Sequence, residues 1–300
     1  MLSNAEYDIF EPVTLDQLVG EGQALPSLPA IFKRVSEQLD DHSYSLEQIG
    51  NTIQNDPAIS TRVLKLVNSS YYGLPGQVTS VTLAVNLLGR ERCKHVLIGS
   101  VLGTVFETGE NPAFSMQVFW KHCIKTALIA RQLADYTAGI EEPEAMFTAG
   151  LLHDIGKLML IERFPQEMMA AEETMIRRRI DELSAELSQV GLTHTAVGAA
   201  LMQHWGLPDI LVECTRYHHE IVHDGPNRRA THLVYLANRL SEYVPPLDDS
   251  ETLAILDDIE NWNMGQVSID QIAMACQIAD DLVFEVMESL GMVPVEIDDE

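Results

Sequence analysis

Apolar residues recur along this chain at three- and four-residue intervals, the period of a helix with one buried face. In "SLPAIFKRVSEQLDD" Ile31, Val35 and Leu39 stand four apart behind Pro29, a proline placed at a helix start. "SLEQIGNTIQ" opens on Ser45 with Gln48 three residues later, a capping-box pattern, and "NDPAISTRVLKLVNSS" offers Asp56 as N-cap and Pro57 at the first helical position. "SVTLAVNLLG" stops at Gly89, a left-handed cap in expectation, with another apolar helix from about Arg90 to Phe106. Beyond a polar break, "ETGENPAFS" (107–115), helical signals resume in "FWKHCIKTALIARQLADYTAG", "RRRIDELSAELSQVG", "THTAVGAALMQHWGLP", "DILVECTRYHHEIVHDG" and "RRATHLVYLANRLSEYVPP". The last long helix, "SIDQIAMACQIADDLVFEVMESLG", carries a second capping box in Ser268 and Gln271 and ends at Gly291. No segment alternates with the two-residue period of a half-buried strand, and no repeat or low-complexity tract interrupts the pattern.

The expected fold is therefore all-α, a non-coiled-coil bundle of about a dozen helices in two packed blocks. The expected organisation is an N-terminal arm (1–21), a first helical block (22–110), a second block (111–240), and C-terminal helices with an acidic tail (241–300) against that second block. The break near residue 110 is short and lacks a Gly/Ser linker, so the two blocks are expected to share a core.

Composition narrows the function classes. The 300 residues are 46% apolar and 21% charged, enough to bury a large core. A net charge of −26 repels phosphate backbones and argues against nucleic-acid binding, while also serving solubility. Cys93, Cys123, Cys214 and Cys276 are scattered, with no C-x-x-C pair, which fits a reducing cytosol and no disulfide framework. The N-terminus lacks a basic start and an apolar run, and no stretch approaches the roughly 20 apolar residues of a membrane span. A cytoplasmic protein without membrane contact is expected.

Chemistry concentrates in the second block, which holds eight of the ten histidines: His122, His153, His194, His204, His218, His219, His223 and His232. "AGLLHDIGKLMLI" (149–161) looks like a buried helix yet contains the adjacent pair His153–Asp154 and then Lys157. A carboxylate in an apolar segment costs several kcal/mol unless compensated, and a divalent cation or Lys157 would compensate it. Successive helix positions point about 100 degrees apart. One cation reaches both His153 and Asp154 only beside a helix end, near Gly156. The alternative is that the histidines merely fill the core and hydrogen-bond to one another and to Asp154.

At these residues the chain resembles a known family. "GLLHDIGK" is similar to the signature of the HD superfamily of metal-dependent phosphohydrolases. In the first block, "LPSLPAIFKRVSEQL", "IQNDPAISTRVLKLVNSSYYGLP" and "SVTLAVNLLGRERCKHVLIGSVL" resemble the N-terminal half of the HDOD domain, a signalling-associated relative of HD and HD-GYP proteins. The resemblance covers roughly residues 22 to 240 and implies a bacterial, cytoplasmic, regulatory protein. It implies metal ligands at His122, His153 and Asp154, further ligands at His194, His218 and His219, and a phosphate-binding lysine at Lys157. The family's late aspartate stands here as Asn238, whose amide carbonyl can coordinate a metal but brings no charge. Val118 stands where multi-metal members tend to have a glutamate, and "PNRR" replaces the Gly-Tyr-Pro of the phosphodiesterases.

Two functions follow. One is a signal-transduction module that acts through a partner protein and keeps a degenerate HD-type site for a metal or ligand. The other is a metal-dependent phosphohydrolase in which iron, manganese, zinc or magnesium activates water, with Asp154 and Lys157 as catalytic residues. A nucleotide or phosphate ligand and a homodimer are compatible with either.

Overall fold

The computed structural model describes residues 25–106, 114–220, 223–242 and 267–292, and among the described residues there are thirteen α-helices and no strand. The arm at 1–21, most of the polar break and the acidic tail lie outside the described residues.

The first helices are α1 (Ala30–Asp40), α2 (Leu46–Gln54), α3 (Pro57–Val67) and α4 (Val81–Val105). Their boundaries follow local chemistry. Ser45 and Gln48 close a reciprocal capping box at 3.2 and 2.8 Å, and Asp56 caps α3 by accepting from Ile59 N at 3.0 Å. Gly89, at φ 72, turns the chain within α4 where the sequence predicts a left-handed stop.

The remaining helices are α5 (Met116–Ala134), α6 (Pro143–Leu152), α7 (Ile155–Arg163), α8 (Pro165–Arg178), α9 (Glu182–Gln189), α10 (His194–His204), α11 (Asp209–Tyr217), α12 (Arg228–Glu242) and α13 (Ile269–Leu290). The buried α5 is the axis of this half, with α6, α12 and α13 packed around it, while α10 lies against α7 and α11. The two halves share one continuous core. Gly99 of α4 sits between Leu151 of α6 and Leu290 of α13, and Tyr71 stacks on Phe147 with ring centroids 5.0 Å apart.

Two segments expected as single helices are broken. "RRRIDELSAELSQVG" divides because Arg179 adopts a left-handed conformation (φ 54) and Asp181 then caps α9, its carboxylate accepting from Ser184 N at 2.9 Å. "AGLLHDIGKLMLI" divides at the doublet itself: α6 ends at Leu152, His153 is its C-cap, and Asp154 (φ −100, ψ 7) is the N-cap of α7.

Candidate metal centre

Five helices deliver the polar residues. His122 lies in α5, His153 and Asp154 occupy the α6–α7 joint, His194 opens α10, and His218 and His219 follow the last residue of α11. Two glycines permit the close approach. A Cβ on Gly150 would stand 2.6 Å from Ala127 Cα of α5, and one on Gly156 would collide with the His194 carbonyl oxygen of α10. The first contact sets His153 beside His122, and the second sets Asp154 beside His194.

Hydrogen bonds at Nδ1 fix how the rings face. His153 Nδ1 donates to Gly150 O at 2.7 Å, His218 Nδ1 donates to Thr215 O at 2.8 Å, and His194 Nδ1 lies 2.8 Å from a Glu186 carboxylate oxygen. His122 Nδ1 is 3.1 Å from Ser241 Oγ, whose own proton goes to Asn238 O at 2.7 Å. This pattern turns Nε2 of all four rings inward, as a lone pair wherever the ring is neutral. Nε2 of His122 and His153 are 3.2 Å apart, those of His194 and His218 3.4 Å, and those of His194 and His219 3.2 Å. Two bare lone pairs that close repel unless a proton or a metal ion lies between them. For an ion with metal–nitrogen bonds of ~2.0–2.1 Å, tetrahedral ligands stand roughly 3.3–3.4 Å apart, so the spacing fits shared coordination.

Asp154 divides the set. Its Oδ2 faces His122 and His153, each at 3.4 Å, and Lys157 Nζ at 2.9 Å. Its Oδ1 faces His194 and His218, each at 3.3 Å, yet is buried with no hydrogen bond to either. An orphaned carboxylate oxygen in a dry site costs several kcal/mol, and a cation at that oxygen removes the cost. The residues present therefore fit a divalent ion, or a pair bridged by Asp154: His122, His153 and Asp154 form one ligand group, and Asp154, His194, His218 and His219 a second.

Electrostatics follow from burial and pairing. Burial alone would raise the Asp154 carboxyl, but His153 and Lys157 outweigh it and hold the group well below the usual carboxylate range. Burial pushes His153 down, pushes His218 well down with help from His219, and with His194 lowers His219 to about 4. His194 goes the other way: Glu186 overcomes burial and lifts it to about 9. Lys157 is raised because Asp154 and Glu182 outweigh its burial, and its Nζ sits 2.9 Å from an oxygen of each.

A cavity of about 480 Å³ opens onto this cluster at His122, Asp154 and Lys157. Its walls are largely apolar, including Phe119, Ile161, Met168 and Met175, and Glu172, Glu182, Glu186 and Glu242 also line it. Val118 stands at this cavity and is exposed.

The structure thus gathers His122, His153, Asp154, Lys157, His194, His218 and His219 into one cluster. Asn238 is placed a turn before Ser241, the residue holding His122, and its Oδ1 is buried without a hydrogen bond. The other three histidines of the second block lie elsewhere: His204 is exposed, His232 is buried in α12, and His223 stacks on Tyr217 beside Glu213. Sequence reasoning missed Glu182 and Glu186. The signal for Glu186 was present: it falls between Leu183 and Val190 on the apolar stripe of α9, and it is 1% exposed.

Comparison with known proteins agrees with this fold. The chain is 27% identical over 201 residues to an uncharacterized protein of Treponema pallidum, which covers 66% of this chain and 38% of that protein. The chain therefore spans well under half the length of this relative. A crystal structure of a candidate phosphohydrolase from Shewanella amazonensis superposes with a TM-score of 0.72 at 21% identity, covering 89% of this chain and 94% of that one. A structure described as a signal transduction protein, from Marinobacter aquaeolei, gives 0.67 at 23% identity, covering 89% of this chain and 59% of that one. At these identities the likeness establishes the all-α fold. The HDOD domain matches residues 25–221, two thirds of the chain, and to that family the protein belongs.

Proposed function

We propose that this chain is a signal-transduction module that holds a divalent cation, or a pair sharing Asp154, in its His–Asp cluster and engages a partner protein through its helical surface. The metal reading is carried by Asp154 Oδ1, a buried carboxylate oxygen without a hydrogen bond between His194 and His218. Glu186 fixes the His194 ring, as carboxylates behind metal-bound histidines do. Asn238 offers a neutral oxygen where the family pattern has a charged one. The imidazole-rich donor set suits iron or zinc over magnesium, which prefers oxygen.

The phosphohydrolase reading is favoured by one observation, the cavity that gives solutes a route to the cluster. A bound divalent cation there would supply charge for a phosphoryl oxygen and acidify water toward a pKa of roughly 7. The chain's own residues serve that chemistry poorly. Lys157, the cation lining the cavity beside the cluster, is shared by Asp154 and Glu182, so a phosphate must displace Glu182 to reach it. Carboxylates in the wall repel an anionic substrate. This weighs toward a regulatory role.

The test is elemental analysis of the purified protein beside Asp154→Ala and His153→Ala, with folding checked by circular dichroism. Wild-type protein should retain iron or zinc, both variants should lose at least about tenfold in affinity, and none should hydrolyse bis(p-nitrophenyl) phosphate. Protein that carries no metal and takes up none when offered iron, zinc or manganese defeats the metal reading. Metal-dependent turnover abolished by His153→Ala defeats the regulatory one.

A further inference from the structure

A second cavity, of about 620 Å³, lies where α4 of the first half meets the amino ends of three helices of the second. Glu142 and Ala145 bring the start of α6 to it, Pro208 and Ile210 the start of α11, and Asn227 and Ala230 the start of α12. No side chain caps α6 or α11. Asn227, just before α12, gives its side-chain amide to Glu213 at 3.1 Å. The uncapped amino ends of α6 and α11, each with a partial positive charge, thus face one space, joined by the amino end of α12, where Glu213 also accepts from Asn227 N at 3.2 Å.

Side chains reinforce that polarity. Lys94, Arg228 and Arg229 line the cavity. Lys94 and Arg228 pair only with exposed surface carboxylates, Asp40 at 2.9 Å and Asp224 at 3.3 Å, contacts that a ligand readily competes with. Arg229 is partly buried against Gly139, a residue at φ +79, and pairs with no carboxylate among the described residues. The independent sign of a ligand is His95, 8% exposed and lining the same cavity. Its Nδ1 is tied to Thr148 Oγ1 of α6 at 2.8 Å, and its Nε2 has no hydrogen bond among the described residues. The acidic residues of the cavity, Glu91, Glu141 and Glu142, are all exposed. Lys94 and Arg229 are partly buried where the three glutamates are exposed, in a protein whose net charge is −26.

We infer that this cavity is a binding site for a phosphate monoester of nucleotide size. The phosphate would sit on the amino ends of α6, α11 and α12 with Arg229, Lys94 and His95, and the hydrogen-bond donors of the remainder would meet the exposed glutamates. The site is separate from the His–Asp cluster and shares no side chain with it.

Isothermal titration of the full chain with AMP, with adenosine as the phosphate-free control, tests this. AMP should bind at one equivalent and adenosine should not. Measured on metal-stripped protein, Arg229→Gln should weaken AMP at least tenfold, Arg229→Lys by less, and His122→Ala, which disables the cluster, should leave it unchanged. Amide exchange should slow on AMP addition around residues 139–145 and 208–212. The inference is overturned if AMP at millimolar concentration does not bind wild-type protein, if adenosine binds equally, if Arg229→Gln binds undiminished, or if binding vanishes in His122→Ala. Unchanged melting of Arg229→Gln shows that a loss of binding is not a loss of fold.

Discussion

His95 and Asp154 are both buried and both titratable, and their surroundings drive them in opposite senses. Asp154 is kept ionised by His153 and Lys157, whereas His95 has no carboxylate and is kept neutral, lowered to about 4 by burial and the nearby Lys94. An unfolded histidine titrates near 6.5, so between about pH 6.5 and 4 the unfolded chain binds a proton that the folded chain refuses. The folded pKa is the depressed one, and stability is lost as pH falls through that window and is intact above it. The full shift corresponds to about 3 kcal/mol, with roughly half expected by pH 5. Urea midpoints at pH 7.5 and pH 5.0 should differ more for wild-type protein than for His95→Asn; equal differences would show that the cavity hydrates and protonates this ring without penalty. At this scale the candidate site was partly legible. The doublet, His122, His194 and the His218–His219 pair stand out because imidazoles are rare on apolar stripes, and these do meet. Glu186 was visible as a glutamate on the apolar stripe of α9, but its partner was not, because the turn that sets His194 of α10 against it leaves no mark in the sequence.

At the scale of elements, the cluster depends on helices that end and helices that touch. His153 and His218 follow the carboxyl ends of α6 and α11, where unpaired carbonyls and the negative end of the helix dipole favour a cation. Gly156 allows α7 to lie directly on α10, because any side chain there would occupy the His194 carbonyl. Gly156→Ala must push the two helices apart. The expected cost is about 3 kcal/mol of stability, together with loss of metal binding, since Asp154 and His194 part. Paired thermal melts and metal titrations check it: a variant that melts normally and binds metal normally would show that the contact is slack. Helix starts were legible from Ser45, Asp56 and Ser268 because caps are local chemistry. The break at Arg179 was not, because a non-glycine residue in a left-handed conformation carries no local signal, and the helical period runs on across it.

At the scale of the molecule, α6 and α11 connect the proposed anion site to the proposed cation site. Their amino ends face the cavity that His95 and Arg229 line, and their carboxyl ends carry His153 and His218. Helices of 10 and 9 residues separate the two by ~15 Å, through a core common to both halves of the chain. An anion at one end and a divalent cation at the other attract each other across low-dielectric protein, and both favour the same orientation of the helix dipoles. At that separation the attraction amounts to about 1 kcal/mol after screening, or roughly fivefold in affinity. Linkage requires that the factor be reciprocal: AMP tightens the metal by as much as the metal tightens AMP. Titrating AMP into metal-stripped and zinc-saturated protein, and zinc into AMP-free and AMP-saturated protein, gives the two factors separately. Equal factors above one would make the cluster the receiving end of a ligand signal carried by rigid helices. Factors of one would leave both sites independent, and the regulatory role would then rest on the protein surface alone.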